Sequence, residues 1–274
     1  MINPVIPIRK TDLSKLLNKV LFFDFEKGSK TLGNNTLIED LFGYPVLRPD
    51  SWAAFEATIA QLFDIKIMNI KKKLANIDVV EPTRVLLPKE GVPLDALVLD
   101  TFSELAKKYQ RTLVGKDGKL KIDGWGKLKN AIDMKMEDIT RIPCHLIVNV
   151  HAKKDNLDDG STPLIPYIDG SSKEDLAKWF DFVVYTKTVP APGNKLKFMW
   201  HINKTSTFAH AKDRTQTLPA EIPQDYRVLL DAAKKAGWPN AKILVIGTPG
   251  SGKTKSLETL VQEIPDTKAK EEKS

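Results

Sequence analysis

Residues 241–260 read AKILVIGTPGSGKTKSLETL, and this stretch decides the fold. It begins with an apolar run typical of a buried strand, continues through a glycine-rich turn and ends in a segment of helical character. Residues 247–254 fit the pattern G-x-x-x-x-G-K-[ST] without departure, in the strand–turn–helix context that the pattern requires. The stretch therefore predicts a phosphate-binding loop of an α/β protein.

The residue types of this loop have a mechanical basis. Glycines let backbone N–H groups close around a phosphate without Cβ clashes, and the helix that follows directs its N-terminus at the anion. Lys253 would reach the β- and γ-phosphates of a nucleotide, and the Thr254 hydroxyl would bind Mg²⁺. The predicted nucleotide-binding residues are Gly247, Thr248, Pro249, Gly250, Ser251, Gly252, Lys253, Thr254 and Lys255.

The loop stands near the end of the sequence, since only 20 of 274 residues follow Thr254. The remaining strands of its sheet must therefore come from residues ahead of it. Apolar runs predict strands at 20–25, 94–99, 144–150, 182–186, 195–202 and 242–246. Helical spacing predicts helices at 51–63 (capped by Asp50), 101–109, 125–140, 173–179 and 226–236, with polar loops or a small hairpin at 111–124 and a polar loop at 151–166.

Near-continuous apolar strands that alternate with helices predict a mostly parallel sheet covered by helices on both faces. The strands on either side of residues 190–194 (PAPGN) are expected to form an antiparallel extension. We expect one α/β domain over residues 1–274, with 1–19 and 264–274 peripheral or flexible.

Two carboxylates that a nucleotide site needs follow predicted strands. Residues 96–100 read ALVLD, and beside a phosphate-binding loop Asp100 is favoured as a ligand that holds Mg²⁺ through water, although turns also favour Asp. Residues 20–28 read VLFFDFEKG, and alternation places Asp24 and Glu26 on one side of the chain. We favour Glu26 as the group that orients or deprotonates the attacking water, over a solvated turn carboxylate.

The composition is that of a folded soluble protein, with 42% hydrophobic and 28% charged residues. No run approaches the roughly 18 apolar residues of a membrane span, and the first residues lack a signal peptide's apolar core, so we expect a cytoplasmic protein without a membrane contact. The single cysteine, Cys144, excludes an internal disulfide and is interpreted as a buried structural thiol. The net charge of +7 favours a polyanionic partner.

The segments GTPGSGKT, LFFDFEKG, LVLDTFSEL and LIVNVHAKK together resemble the RecA-like ATPases, and among them the single-domain phage ATPases of the Sak and AAA_24 type. The resemblance implies that Glu26 is the catalytic glutamate, Asp100 the Walker B aspartate, and His151 the γ-phosphate sensor, where RecA has a glutamine. In that family the phosphate-binding strand comes first. Here it comes last, which suggests a circular permutation, natural or engineered, with the break between the loop's helix and the Glu26 strand.

The resemblance also implies a basic element that acts between subunits. Lys212 and Arg214 match a K-x-R pair that reaches the ATP site of a neighbouring subunit in RadA- and DnaB-like relatives. Two cations spaced i, i+2 on an extended segment share one side, so both could meet a γ-phosphate. The alternative is an ordinary basic surface turn. If the match holds, the protein works as a homo-oligomer, a ring or a filament.

Two polar segments, 107–121 and 153–166, occupy the places that face DNA in RecA relatives. The first is rich in lysine, with Tyr109 as its one aromatic residue; the second also carries acidic residues, and solvated loops remain an alternative for both. The predicted DNA-contacting residues are Lys107, Lys108, Arg111, Lys116, Lys119, Lys121, Lys153 and Lys154.

The leading hypothesis is a Mg²⁺-dependent ATPase that acts on single-stranded DNA in phage-type recombination or replication. One alternative is a nucleotide-gated protein that binds or anneals DNA with negligible hydrolysis. Another is a P-loop ATPase that drives a protein partner.

Overall fold

The computed structural model describes residue 17 and residues 19–74, 77–158, 160–193 and 195–261. The predictions for 1–16, 18 and 264–274 lie outside the described residues. The strands are β1 (Val20–Asp24), β2 (Phe63–Leu74), β3 (Ile77–Pro88), β4 (Ala96–Asp100), β5 (His145–Lys154), β6 (Leu164–Pro166), β7 (Phe182–Ala191), β8 (Lys195–His201), β9 (Lys212–Asp213), β10 (Glu221–Pro223) and β11 (Lys242–Gly247).

Helices lie between β1 and β2, between β4 and β5, between β6 and β7, and between β10 and β11. The α-helices are α1 (Asn35–Phe42), α2 (Trp52–Leu62), α3 (Phe102–Leu113), α4 (Ile122–Thr140), α5 (Ser172–Asp175), α6 (Tyr226–Lys235) and α7 (Lys253–Ser256). Short 3-10 helices cover Gly28–Leu32, Leu176–Trp179 and Leu257–Leu260. No helix of the described ranges has the length and apolarity that crossing a membrane requires.

The main sheet has the strand order β1-β4-β5-β11-β7-β8-β10. Its first five strands are parallel, and β8 and β10 extend it in antiparallel pairing. The predicted mostly parallel α/β sheet with an antiparallel extension is therefore confirmed. Although β11 is the last described strand in sequence, it lies inside the sheet between β5 and β7. The strands on either side of it therefore come from residues that precede the phosphate-binding loop.

Alternate residues of the central strands enter two separate hydrophobic cores. In β4, Leu97 and Leu99 pack in the core formed with α2, α3 and α4, whereas Ala96 and Val98 pack in the core formed with α1 and α6. All four side chains are fully buried. Burial on both faces explains why these strands are almost continuously apolar in sequence.

Several predicted boundaries differ from the structure. Ser51 caps α2, because its side chain accepts a hydrogen bond from the backbone N–H of Ala54 at 3.2 Å; the prediction of Asp50 is wrong. The predicted loop at 151–166 is partly strand, since β5 continues to Lys154 and pairs with β6. Cys144 is buried with a free thiol, as predicted.

A long hairpin formed by β2 and β3 was absent from the sequence predictions. Its two strands pair over twelve positions each, from Phe63 opposite Pro88 to Leu74 opposite Ile77. Large apolar side chains on it are exposed, including Ile67 at 67% and Val80 at 52%. The hairpin is a two-stranded sheet of its own and does not join the main sheet.

Candidate active site

The carboxyl ends of the parallel strands bring the predicted site residues to one edge of the sheet. Asp24 at the end of β1 lies opposite Asp100 at the end of β4, and Gly247 at the end of β11 lies opposite His151 in β5. Ligands of open parallel sheets bind at this edge. Residues separated by most of the sequence therefore share one location.

The loop after β11 has the backbone of an anion cradle. Gly250 and Gly252 have φ values of 74° and 86°, in the left-handed region that favours glycine. A Cβ atom on Gly247 would lie 2.0 Å from Thr186 Oγ1, and one on Gly252 would lie 2.8 Å from Gln224 Oε1. Close neighbours thus require glycine at positions 247 and 252, and the backbone conformation favours glycine at positions 250 and 252.

Lys253 begins α7 and is almost fully buried beside the loop. Its Nζ donates hydrogen bonds to the carbonyl oxygens of Gly247 and Thr248, both at 2.9 Å. Burial lowers the pKa of Lys253, and the negative charges of Asp100 and Glu26 oppose that shift. The ammonium group is therefore held inside the loop and next to two carboxylates.

Asp100 is joined to the phosphate-binding loop by a direct contact. Thr254 Oγ1 donates to Asp100 Oδ2 at 2.6 Å, and Asn149 Nδ2 donates to Oδ1 at 3.1 Å. Burial raises the pKa of Asp100, while these two hydrogen bonds and Lys253 oppose the rise. A hydroxyl and a carboxylate oxygen side by side are the hard donors that Mg²⁺ prefers, so these residues fit that ion.

Asn149 was missed by sequence reasoning. It is the one polar residue of the run LIVNV in β5 and is fully buried. A buried amide in an otherwise apolar strand needs a polar partner, so its position was a usable signal. Its partner, Asp100, lies 49 residues away in sequence and could not be assigned without the sheet.

Glu26 is held by two neighbours, one just after β4 and one in β5. Thr101 Oγ1 donates to Glu26 Oε1 at 2.7 Å, and His151 Nε2 contacts the same oxygen. Burial raises the pKa of Glu26, but the hydrogen bonds from His151 and Thr101 and the nearby charges lower it further, so the net shift is downward. The structure thus brings together the predicted catalytic glutamate and the predicted sensor.

Asp24 has a structural task in the same turn. Its carboxylate accepts hydrogen bonds from the backbone N–H groups of Glu26, Gly28 and Ser29 at 3.2, 2.9 and 3.1 Å. An ion pair with Arg48 at 3.5 Å adds to these contacts. Since β1 ends at Asp24, strand alternation does not extend to Glu26; the turn that Asp24 stabilises sets the position of Glu26.

Several of the predicted site residues line one cavity of about 830 Å³. Glu26, Thr101, His151, Lys253 and Thr254 line it on the side of the carboxylates. Pockets that bind small ligands and cofactors commonly have volumes of about 300–1,000 Å³. The cavity is therefore large enough for a nucleotide whose phosphates lie against the loop.

Lys212 and Arg214 lie at the opposite edge of the sheet. β9 pairs with the beginning of β7, where Lys212 is opposite Val183, whereas the loop follows the end of the neighbouring β11. Lys212 Nζ donates to the carbonyl of Ala177 at 2.7 Å, and burial lowers the pKa of Lys212 to about 8. The structure does not bring this pair to the site of its own subunit, and its role between subunits stays a prediction.

Arg214 is also engaged within its own subunit. Its guanidinium contacts Asp181 Oδ1 and the carbonyl of Lys178, each at 3.1 Å. An action on a neighbouring subunit would require these contacts to be exchanged.

The first predicted DNA segment begins on α3, which extends to Leu113 and so corrects the loop prediction for residues 111–113. Lys107, Lys108 and Arg111 all belong to α3. Lys108 Nζ donates to the carbonyls of Phe25 and Pro49 at 3.3 and 3.2 Å, so it connects the helix to the body of the protein. The other predicted DNA residues lie after α3, at Lys116, Lys119 and Lys121, or near the end of β5, at Lys153 and Lys154.

Tyr167 is an aromatic residue that sequence reasoning did not connect with this surface. The Nζ atoms of Lys107 and Lys153 lie 4.2 and 5.1 Å from the centre of its ring. Lys107 also pairs with Glu104 at 2.6 Å, and Lys153 with Asp169 at 3.5 Å. Two of the predicted DNA lysines thus flank one partly exposed aromatic ring.

The sheet, the glycine loop and the Lys253–Thr254–Asp100 arrangement define a nucleotide-binding protein of the P-loop class. A family model described as an AAA domain matches residues 8–215, and the chain belongs to this family. The matched segment contains Glu26, Asp100 and His151 and ends ahead of the loop at 247–254. Comparison with curated proteins and with solved structures gave no match.

Proposed function

We propose that this protein is a Mg²⁺-dependent ATPase that acts on single-stranded DNA in phage-type recombination or replication. The observation that carries the enzymatic part is the Thr254–Asp100 hydrogen bond of 2.6 Å, which joins residues 154 positions apart. Through it the phosphate-binding loop and the second metal ligand meet, and Glu26 lines the same cavity. Membership of the AAA domain family supports ATP as the nucleotide.

Each residue has a distinct task in this proposal. The loop N–H groups and Lys253 hold the phosphates, and Thr254 and Asp100 hold Mg²⁺, which neutralises charge on the phosphates when bound. Glu26 accepts the proton of the attacking water or orients it. His151 contacts Glu26 and lines the cavity, which supports its proposed role as the γ-phosphate sensor.

We further propose that the chain is a circularly permuted relative of the RecA-like ATPases. Three observations support this. The last strand, β11, occupies an interior position in the sheet, and the family match stops before it. Leu17, near the start of the chain, packs against the core cluster that contains Leu257, Leu260 and Val261, so the described ends lie on the same side of the molecule.

We also propose an oligomer in which subunits share ATP sites, because of where Lys212 and Arg214 lie. Lys212 and Arg214 lie at the sheet edge opposite the loop, so within one subunit they are remote from the phosphates. A second copy could receive them at its own site. In that arrangement the rate per subunit rises with protein concentration.

The DNA part of the proposal is supported by charge and by one aromatic contact. The net charge is +7, and Tyr167 lies between Lys107 and Lys153. Aromatic rings beside cations bind single strands by stacking and by phosphate attraction. Contacts of this kind weaken as salt rises, because binding releases counterions.

Phosphate release from ATP tests the proposal. With Mg²⁺, we expect turnover that rises with protein concentration and with added single-stranded DNA, and that chelation or Lys253→Ala abolishes. Exposed Lys127→Ala on α4 provides a matched lysine control and should retain turnover. Equal turnover in the Lys253→Ala variant would overturn the ATPase proposal. A DNA effect insensitive to salt would instead overturn the phosphate contacts and favour a protein partner.

A further inference from the structure

We propose that Leu196 and Phe198 of β8, together with Pro223, form the surface that binds the nucleobase of the nucleotide. This inference rests on the ATP-binding part of the proposed function. It assigns a ligand to an exposed apolar surface. Neither phosphate binding nor packing of the core explains why these side chains are apolar.

The first step is the pattern of burial along β8. Leu196, Phe198 and Trp200 are two residues apart and therefore lie on one face of the strand. Trp200 is fully buried in the core, Phe198 is 41% exposed and Leu196 is 63% exposed. The apolar face thus continues past the edge of the core. Among the described residues, Leu196 and Phe198 are therefore less involved in core packing than Trp200 is.

The second step is the distance to the phosphate-binding loop. A Cβ atom on Gly252 would stand 3.4 Å from Phe198 Cδ1, so the ring lies directly beside the loop. Gln224 fixes this arrangement, because its Nε2 donates to the carbonyl of Ser251 at 3.0 Å and to that of Met199 at 3.2 Å. The middle of β8, at Phe198 and Met199, is therefore held against the same loop that would bind the phosphates.

The third step is continuity. Leu196, Phe198 and Pro223 line the same cavity of about 830 Å³ as Lys253 and Thr254. The lining of that cavity combines an ammonium, a hydroxyl and a carboxylate with apolar side chains and an aromatic ring. A nucleoside triphosphate has the same division between charged phosphates and a flat base with a π-face. Bases stack on aromatic side chains independently of their identity.

Parallel titrations with Mg²⁺-ATP and with Mg²⁺-tripolyphosphate test the inference. Phe198→Ala should weaken ATP binding about tenfold, as expected for the loss of one base–aromatic stack, and leave tripolyphosphate binding within about twofold. Phe198→Tyr keeps the ring and should bind ATP nearly as the wild type does. Ile67→Ala, an exposed apolar residue on the separate hairpin, should change neither affinity.

The outcomes separate this inference from the proposed function. If Phe198→Ala binds ATP like the wild type, the base lies elsewhere and the inference is wrong. If the variant loses affinity for both ligands equally, Phe198 shapes the loop and does not bind the base, which also overturns the inference. If the wild type binds tripolyphosphate and ATP with the same affinity, the base makes no contact. If the wild type binds neither ligand, the proposed function itself fails.

Discussion

In the proposed ATPase, hydrolysis depends on the Glu26 carboxylate, and the surroundings of this carboxylate keep it ionised. Thr101 and His151 both bind Oε1, which leaves Oε2 free of these two contacts. A general base must be ionised and within reach of water at the working pH. The hydrogen bonds offset the cost of burial, so Glu26 can stay ionised in a partly enclosed cavity.

A His151→Ala substitution tests this arrangement at the residue scale. Burial alone raises the pKa of Glu26, and His151 supplies the largest opposing contribution. Without His151 the pKa of Glu26 should rise, so the acid limb of the pH profile of kcat/KM should move to higher pH. His210→Ala removes a histidine outside the site and should leave the limb in place. An unchanged limb in the His151→Ala variant would show that this contact does not control Glu26.

Much of the site was predictable residue by residue, because its signals are local. The loop pattern fixes residues 247–254, and an Asp or Glu after an apolar run marks the end of a strand. The contacts of Asn149 and Tyr167 were not predictable, since their partners are far away in sequence or on other elements. Glu26 was placed on the wrong basis, because a turn replaces strand geometry after residue 24.

At the scale of elements, the β2–β3 hairpin is the largest departure from the sequence predictions. Residues 71–76 read KKKLAN and contain no Asn-Gly or Asp-Gly pair, which is the strongest local signal of a two-residue hairpin turn. Pro82 also lies inside β3, and proline argues against a strand. The core strands were predictable because burial on both faces leaves them apolar, a condition that the hairpin does not share.

Shortening the hairpin tests its independence from the core. Met68 and Thr83 are directly paired, so replacing residues 69–82 by Asn-Gly joins them through a two-residue turn. Because exposed side chains contribute little to stability, we expect the melting temperature to change by less than about 3 °C and ATP affinity to stay the same. A loss of cooperative unfolding or of ATP binding would show that the hairpin is part of the folded core.

At the scale of the whole molecule, the sheet joins a loop from the end of the chain to strands from its beginning. The strand order places β11 between β5 and β7 regardless of its place in sequence. Domains tolerate new ends at exposed connections when their own ends lie close together. The fold therefore does not require that the loop be encoded last.

Reordering the chain tests the proposed permutation. α6 ends at Lys235 and β11 begins at Lys242, and Gly237 between them is exposed. A chain that starts at residue 238, joins residue 274 to residue 1 through a flexible linker and ends at residue 237 should fold and hydrolyse ATP as the original does. Folding without ATP binding, or failure to fold while the original chain folds, would contradict the permutation.

The most direct test of the central claim is a paired measurement on Glu26→Gln: the affinity for Mg²⁺-ATP and the single-turnover rate of phosphate release. The amide keeps the shape of the side chain and removes its basicity. We predict affinity within about threefold of the wild type and a rate lower by about a hundredfold or more, the typical contribution of a general base. A rate close to that of the wild type, with ATP still bound, would contradict a shared active site of Glu26 and the loop at 247–254.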